Sequence, residues 1–126
     1  MKGKEYDIGW LIAFLEFKGV YTVNKINITK KTKKGEIKYG YINPVFYADS
    51  KKIYPVETAR KILGAGKVVT RGGLYRLELR RKEDLFRLLD FILKWGGPSF
   101  ETEKFEKWKD RVLQWKARGR RKMSVQ

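Results

Sequence analysis

The chain has 126 residues and a formal net charge of +16, is 42% hydrophobic, and contains neither cysteine nor histidine. This length suits a single domain with one core, and the composition excludes disulfides, thiolate metal sites and histidine-based acid–base catalysis. The charge is uneven, because residues 1–18 carry three basic and three acidic groups whereas residues 51–80 carry eight and two. Such a basic excess favours a phosphate-rich partner, since lysine and arginine displace condensed counterions from nucleic acid.

The N-terminal residues predict neither a signal peptide nor a membrane span. They lack a small-residue cleavage site. Their apolar run is about half the ~20 residues that cross a bilayer. We therefore expect a soluble cytoplasmic protein without membrane contact, associated with the nucleoid if it binds DNA.

Residues 6–18 predict the first helix, with Asp7 near its start as a cap and Gly19 as its stop. This helix has almost no solvent-facing side, so something must cover it nearly all round. Its large apolar residues are Trp10, Leu11, Ile12, Phe14, Leu15 and Phe17.

Residues 20–31 are rich in β-branched side chains and predict the first strand. Its apolar residues change phase between Val23 and Ile26, which predicts a β-bulge near Asn24–Lys25. The bulge would leave one continuous polar face, formed by Thr22, Asn24, Asn27, Thr29 and Lys31.

A hairpin connection at 30–38, with Gly35 near its tip, leads to a second strand at about 37–48. Pro44 requires an irregular or edge position in that strand. Residues 51–63 then predict the second helix. One phase of the second strand comprises Tyr41, Asn43, Val45 and Tyr47.

Residues 66–80 form the clearest hairpin pattern, with Gly72–Gly73 at the turn. Residues 83–95 have helical apolar spacing. The last helix carries an apolar stripe that we expect to pack on the body of the domain (Phe105, Trp108, Val112 and Trp115). We therefore predict one domain at 1–118 and a flexible basic tail at 119–126. In the hairpin's second strand, Tyr75, Leu77 and Leu79 alternate with Arg76, Glu78 and Arg80.

Residues 10–21, WLIAFLEFKGVY, resemble the signature helix of LAGLIDADG homing endonucleases. The resemblance continues through residues 44–46, 59–80, 84–93 and 102–115, in the order and spacing of that family. The matching signature positions are Trp10, Leu11, Phe14, Leu15, Glu16, Gly19 and Tyr21.

The resemblance implies an α+β fold of the order αββαββα plus a C-terminal helix, with a four-stranded antiparallel, saddle-shaped sheet whose concave face lies in the DNA major groove. It also implies a homodimer through the 9–18 helix, with Gly9, Ala13 and Phe17 at the interface. The implied DNA-binding residues are Lys18, Thr22, Asn24, Asn27, Tyr41, Asn43, Tyr47, Lys67, Arg71, Arg76, Glu78 and Arg80.

Two departures from the family pattern concern activity and assembly. The family's metal-binding catalytic acid falls on Lys18, which repels a divalent ion, and Glu16 lies about 200° around the helix at ~100° per residue. Phe17 occupies a position where the family has a small residue, so the helices should be pushed apart or cross differently. We expect no catalytic residue, no metal and no cofactor.

Three functions remain open. The first is a catalytically inactive relative that binds duplex DNA. The second is an active endonuclease with displaced ligands, which alone would require Mg²⁺. The third is a structured-RNA binder resembling the family's splicing maturases, with tyrosines such as Tyr41 and Tyr47 stacking on bases.

Overall fold

The computed structural model describes the backbone of residues 2–125 and the side chains of residues 4–40 and 42–117. The predicted αββαββα order with a C-terminal helix is confirmed. The elements are α1 (Lys2–Lys18), β1 (Gly19–Thr32), β2 (Gly35–Ser50), α2 (Ile53–Leu63), β3 (Lys67–Arg71), β4 (Leu74–Leu79), α3 (Lys82–Trp95), a 3₁₀ turn (Pro98–Phe100) and α4 (Glu103–Val125).

The four strands form one antiparallel sheet in the order β1-β2-β4-β3. Because strand side chains alternate between faces, each cross-strand row belongs to one side of the sheet. Phe46, Ala48, Leu77 and Leu79 occupy one side and are buried in a core that they share with all four helices. We call the opposite side the open face.

Helix α4 covers the β1 side of the core, as its apolar stripe predicted. Phe105, Trp108 and Val112 are buried, and the Trp108 ring centroid lies 5.1 Å from that of Tyr21. The bounds of α4 include the backbone of 119–125. The side chains from Arg118 onward lie outside the described residues, so the flexible basic tail remains a prediction.

Helix α1 differs from its prediction at its start and on one side. It begins at Lys2, so Asp7 lies inside the helix and does not cap it. Its apolar surface is not covered all round, because Tyr6 and Phe17 are exposed and a side chain at Gly9 would meet nothing within 4 Å. Tyr6, Gly9, Ala13 and Phe17 form this exposed strip of α1.

The predicted β-bulge near Asn24–Lys25 is wrong. β1 pairs with β2 in one uninterrupted register, from Gly19 opposite Ala48 to Thr32 opposite Gly35. β2 pairs with β4 only from Phe46 onward, so residues 24–43 form a two-stranded ribbon, which we call the arm. No core lies beside the arm for apolar side chains to enter, so the strand has no reason to change phase.

Pro44 lies at the base of the arm, where β2 has only β1 as a neighbour. This is an edge position, as the sequence predicted for a proline in a strand.

The later predicted elements are observed with boundaries shifted by one or two residues. Gly64 ends α2 with φ 73°, and Gly72 and Gly73 form the second hairpin turn with φ 54° and 80°. None of the described helices is long and apolar enough to cross a bilayer.

Candidate nucleic-acid interface

The open face is polar and basic where all four strands are present. One cross-strand row runs from Val20 through Tyr47 and Glu78 to Lys67. The regular registers bring most of the predicted DNA-binding residues onto this side. They are Thr22, Asn24, Asn43, Tyr47, Lys67, Arg71, Arg76, Glu78 and Arg80.

Glu78 is the centre of the basic part of the open face and is only 5% exposed. Its carboxylate lies 3.3 Å from Arg80 Nε and 3.9 Å from both Lys67 Nζ and Arg71 Nη2. These four residues are the Glu78 cluster. Three cations around one anion leave an excess of two positive charges on adjacent strands.

The burial of Glu78 makes it a poor candidate for direct contact with a base. Its Oε2 atom has no hydrogen-bond partner among the described residues. A buried carboxylate is costly unless neighbouring charges compensate for its desolvation. The three basic side chains supply that compensation, and in return the carboxylate fixes where their charges lie.

Arg76 is also held by a carboxylate. Its Nε and Nη2 donate to Asp49 Oδ1 and Oδ2 at 2.7 and 3.0 Å, and its guanidinium lies 3.9 Å from the Tyr47 ring centroid. The hydrogen bonds with Asp49 raise the pKa of Arg76 above its usual value. Sequence analysis missed Asp49, because only the β2–β4 register places it opposite Arg76.

Two half-buried asparagines face each other where the arm joins the sheet. Asn24 is directly opposite Asn43, and the neighbouring row pairs Thr22 with Val45. An asparagine amide offers both a donor and an acceptor and can pair with the major-groove edge of adenine. This pair therefore gives the open face groups able to distinguish bases.

The register moves Asn27 away from the predicted site. Asn27 has the phase of Tyr21, whereas Ile26 and Ile28 have the phase of Thr22 and Asn24. The polar face expected along the arm is thus replaced by an apolar one on the open side. The predicted site residue Tyr41 is opposite Ile26 in register, and its side chain lies outside the described residues.

The end of α1 does not present carboxylates to a common point. Lys18 is exposed, and the Glu16 carboxylate accepts a 2.7 Å hydrogen bond from Ser99 Oγ. Among the described side chains, no group of three or more metal-ligating residues occurs. The donor set at this helix end therefore does not fit a divalent metal, because it consists of one ammonium group and a carboxylate already bound elsewhere.

Gly19 lets α1 end directly against the sheet. A Cβ atom at Gly19 would collide with the Leu15 carbonyl oxygen and lie 2.8 Å from the Phe46 ring. Tyr21 Oη donates to the same carbonyl at 3.0 Å. Burial and the nearby Glu16 carboxylate raise the pKa of Tyr21, so this donor stays protonated. The backbone of Lys18 is thereby placed directly before the first residues of β1.

The fold is similar to those of solved homing endonucleases. I-TnaI superposes with a TM-score of 0.71 at 19% identity, over 87% of this chain and 74% of that protein. The archaeal intron-encoded I-Vdi141I, solved with DNA, gives 0.61 at 20% identity, over 82% and 63% of the two chains. The LAGLIDADG enzyme I-GzeII, solved with its DNA target, gives 0.67 at 14% identity, over 86% and 36%.

The chain therefore has the LAGLIDADG homing endonuclease fold, as its signature helix predicted. No family model and no curated protein sequence matches it. The chain spans less than two thirds of I-Vdi141I and about a third of I-GzeII. At identities of 14 to 20%, this likeness establishes the fold, and function must be argued from the residues of this chain.

Proposed function

We propose that the protein binds duplex DNA through the open face of its sheet. The observation that carries the proposal is the Glu78 cluster, which holds three cations and one buried anion on adjacent strands. The excess positive charge of this cluster attracts phosphates to the open face. DNA-bound solved proteins of the same fold support the same partner.

The side chains of this face suit different parts of a duplex. Arg71 and Arg80 suit phosphates or guanine edges, and Asn24 and Asn43 suit adenine. Arg76 is already engaged by Asp49 and Tyr47, so its guanidinium would have to leave a bidentate ion pair to reach DNA. Arg76 therefore contributes more to the structure of the open face than to base recognition.

We further propose that the protein does not cleave the DNA it binds. Lys18 carries positive charge where the resembled family has its catalytic acid, and Glu16 binds Ser99 on another side of the helix. Metal-dependent cleavage is the competing function. A supercoiled-plasmid nicking assay with Mg²⁺ or Mn²⁺ separates the two, because reproducible metal-dependent nicking would contradict the inactive assignment.

We also propose that two copies pair through the exposed strip of α1. Gly9 and Ala13 permit close approach of another helix, and Phe17 is a large apolar side chain with 80% of its surface exposed. Analytical ultracentrifugation should show a dimer that Ala13→Glu weakens. Glu57→Gln, on exposed α2 surface, is the control and should leave the dimer unchanged.

Competition between duplex DNA and folded RNA tests the proposed partner. We expect labelled duplex to be displaced by unlabelled duplex and much less by RNA, with affinity falling by about 0.9 log units per log unit of salt for each phosphate contact. Preferential displacement by RNA would support the maturase-like alternative. An affinity that is flat in salt would contradict binding through the basic face.

A further inference from the structure

The arm has one apolar face, on the same side as the asparagine pair. Ile28 is opposite Tyr39, and Ile26 and Ile37 extend the same phase in both directions. Ile37 is 51% exposed and Tyr39 is 48% exposed, and Ile26 and Ile28 are half-buried. Four large apolar side chains thus lie on a part of the sheet where the ribbon has no packed core beneath it.

An isolated two-stranded ribbon is marginally stable in water, and a continuous exposed apolar surface marks a site of interaction. The surrounding charge indicates the chemistry of the partner. Residues 25–38 contain six lysines and one glutamate. Lysines along both strands oppose edge-to-edge pairing with another copy and favour a polyanion.

The dimensions of the arm match a groove of duplex DNA. Its strands run from 24 to 32 and from 35 to 43, which corresponds to roughly 30 Å at about 3.3 Å per residue. A two-stranded ribbon fits the major groove of B-form DNA. The arm is therefore long enough to follow about nine base pairs at 3.4 Å per pair.

This inference rests on the proposed duplex binding. We propose that the apolar face of the arm packs against thymine methyl groups in the major groove, so that the outer part of the bound site is rich in A·T pairs. Ile26, Ile28, Ile37 and Tyr39 are the specificity-determining residues. The arm lysines bind the flanking phosphates and hold the ribbon in the groove.

Thymine is the base whose major-groove edge suits such a surface. It alone presents a methyl group there, whereas guanine presents acceptors and cytosine presents an amino donor. Isoleucine over a G·C pair would desolvate polar groups and bury no methyl group, whereas over an A·T pair the buried thymine methyl group offsets the desolvation of thymine O4 and adenine N6 and N7. RNA does not suit the same face, since its major groove is deep and narrow and uracil lacks the methyl group.

The test removes only the thymine methyl groups from the DNA. A duplex recovered by selection from a random pool is remade with deoxyuridine replacing thymidine in its outer segments, and both forms are titrated at one salt concentration. The proteins are the wild type, Ile28→Thr, Ile37→Thr and the control Thr29→Ile. Ile28→Thr keeps a β-branched side chain on the exposed arm, whereas Thr29→Ile adds the same apolar group in the opposite phase.

We expect wild-type affinity to fall by about fourfold for each thymine whose methyl group becomes buried. Ile28→Thr and Ile37→Thr should bring the thymine-to-uracil ratio toward one, and Thr29→Ile should retain the wild-type ratio. Equal affinity of the wild type for both duplexes would overturn the inference while leaving duplex binding intact. An unchanged ratio with a smaller oligomer in Ile28→Thr would assign the face to a second copy and also overturn it.

Failure of the proposed function has a separate signature. If neither duplex binds with salt-dependent affinity, duplex recognition and thymine recognition are both rejected. The salt titration therefore distinguishes loss of the partner from loss of this specificity.

Discussion

The centre of the sheet and the arm carry their positive charge in different ways. In the centre, four basic side chains lie within 3.9 Å of a buried or half-buried carboxylate (Lys67, Arg71 and Arg80 at Glu78, and Arg76 at Asp49). On the arm, no lysine is within ion-pair distance of a carboxylate among the described side chains. The cations of the centre are thus paired with carboxylates while still reaching solvent, and those of the arm are solvated.

The two kinds of cation should contribute differently to the selectivity and to the affinity of duplex binding. Paired cations favour a particular arrangement of phosphates and base edges, because moving them away would leave a buried carboxylate without compensation. Solvated lysines attract any duplex and adapt to it, so they supply affinity and association rate without sequence information. Selectivity on the arm must therefore come from its apolar face.

The largest expected difference between the two regions is in stability. Leu77→Ala removes a fully buried side chain beneath the Glu78 cluster and should cost about 2–5 kcal/mol of the free energy of unfolding. Ile28→Ala on the arm should cost less than about 1 kcal/mol, because no core surrounds it. Urea denaturation of both variants measures the contrast. Equal losses would show that the arm is part of the cooperative core.

The second largest difference between the two regions is expected in duplex binding, when two basic residues of one region are replaced together. Arg71→Ala with Arg80→Ala should lower the salt slope by about 0.9 per phosphate contact and also reduce the preference for the selected duplex over a random one. Lys30→Ala with Lys31→Ala should change the salt slope similarly while leaving that preference unaltered. Filter-binding titrations over a salt series, with both duplexes, report both quantities.

If the Lys30/Lys31 variant loses more of the preference for the selected duplex than the Arg71/Arg80 variant does, the division between paired and solvated cations is wrong. Circular dichroism of both double variants, which should keep the wild-type spectrum, is the control for folding. Lys30 and Lys31 are exposed, so thermal unfolding of the arm variant should shift little. The Arg71/Arg80 variant should unfold at a lower temperature, because the buried Glu78 carboxylate loses two of its three cationic neighbours.

Replacing Glu78 tests whether the central cations are positioned by it. Glu78→Gln removes a negative charge from the open face, so affinity for random duplex should increase about twofold to tenfold at low salt. Affinity for the selected duplex should increase less or fall, because Lys67, Arg71 and Arg80 lose their common anchor. The measured quantity is the ratio of the two affinities.

If Glu78 only repelled phosphate, Glu78→Gln would raise the affinities for the random and the selected duplex by the same factor. Glu78→Asp is the matched variant, since it keeps the charge while shortening the side chain. It should retain more of the wild-type ratio than Glu78→Gln does.

The order of elements and the buried faces were predictable from sequence because each is encoded locally. The alternation of Tyr75, Leu77 and Leu79 marked the core side of β4, and the spacing of Phe105, Trp108 and Val112 marked that of α4. Glycines at the second hairpin turn and after α2 marked the ends of elements. These signals need no knowledge of strand pairing.

The arm was misjudged because periodicity does not report where the core ends. Placing Ile26 and Ile28 on the core side required a bulge, although neither side chain belongs to the core or packs against it. Asn27 was assigned to the open face for the same reason. Asp49 was missed because its partner Arg76 is 27 positions later in the chain, and only strand register joins them.

The smallest expected effect concerns Lys18, which lies at the end of α1 beside the start of β1. A cation here is favoured by the negative end of the helix dipole by about 0.3–1 kcal/mol, so the folded protein tolerates it well. Lys18 is exposed and directly precedes β1, so it can reach a duplex that lies on the open face. We therefore predict that Lys18→Ala weakens duplex binding about twofold to fivefold, consistent with loss of one exposed phosphate contact.

Lys18→Asp sharpens the same prediction, because it places a carboxylate where the signature-helix resemblance implies an acid. In EDTA it should bind duplex more weakly than Lys18→Ala, since a carboxylate then faces phosphate. Added Mg²⁺ should recover part of that loss in Lys18→Asp alone, by bridging two anions that otherwise repel. Titrations of the three proteins with EDTA and with Mg²⁺ measure this, and a nicking assay follows cleavage in parallel. Equal affinity of wild type and Lys18→Ala would make Lys18 a solvated helix end with no part in binding.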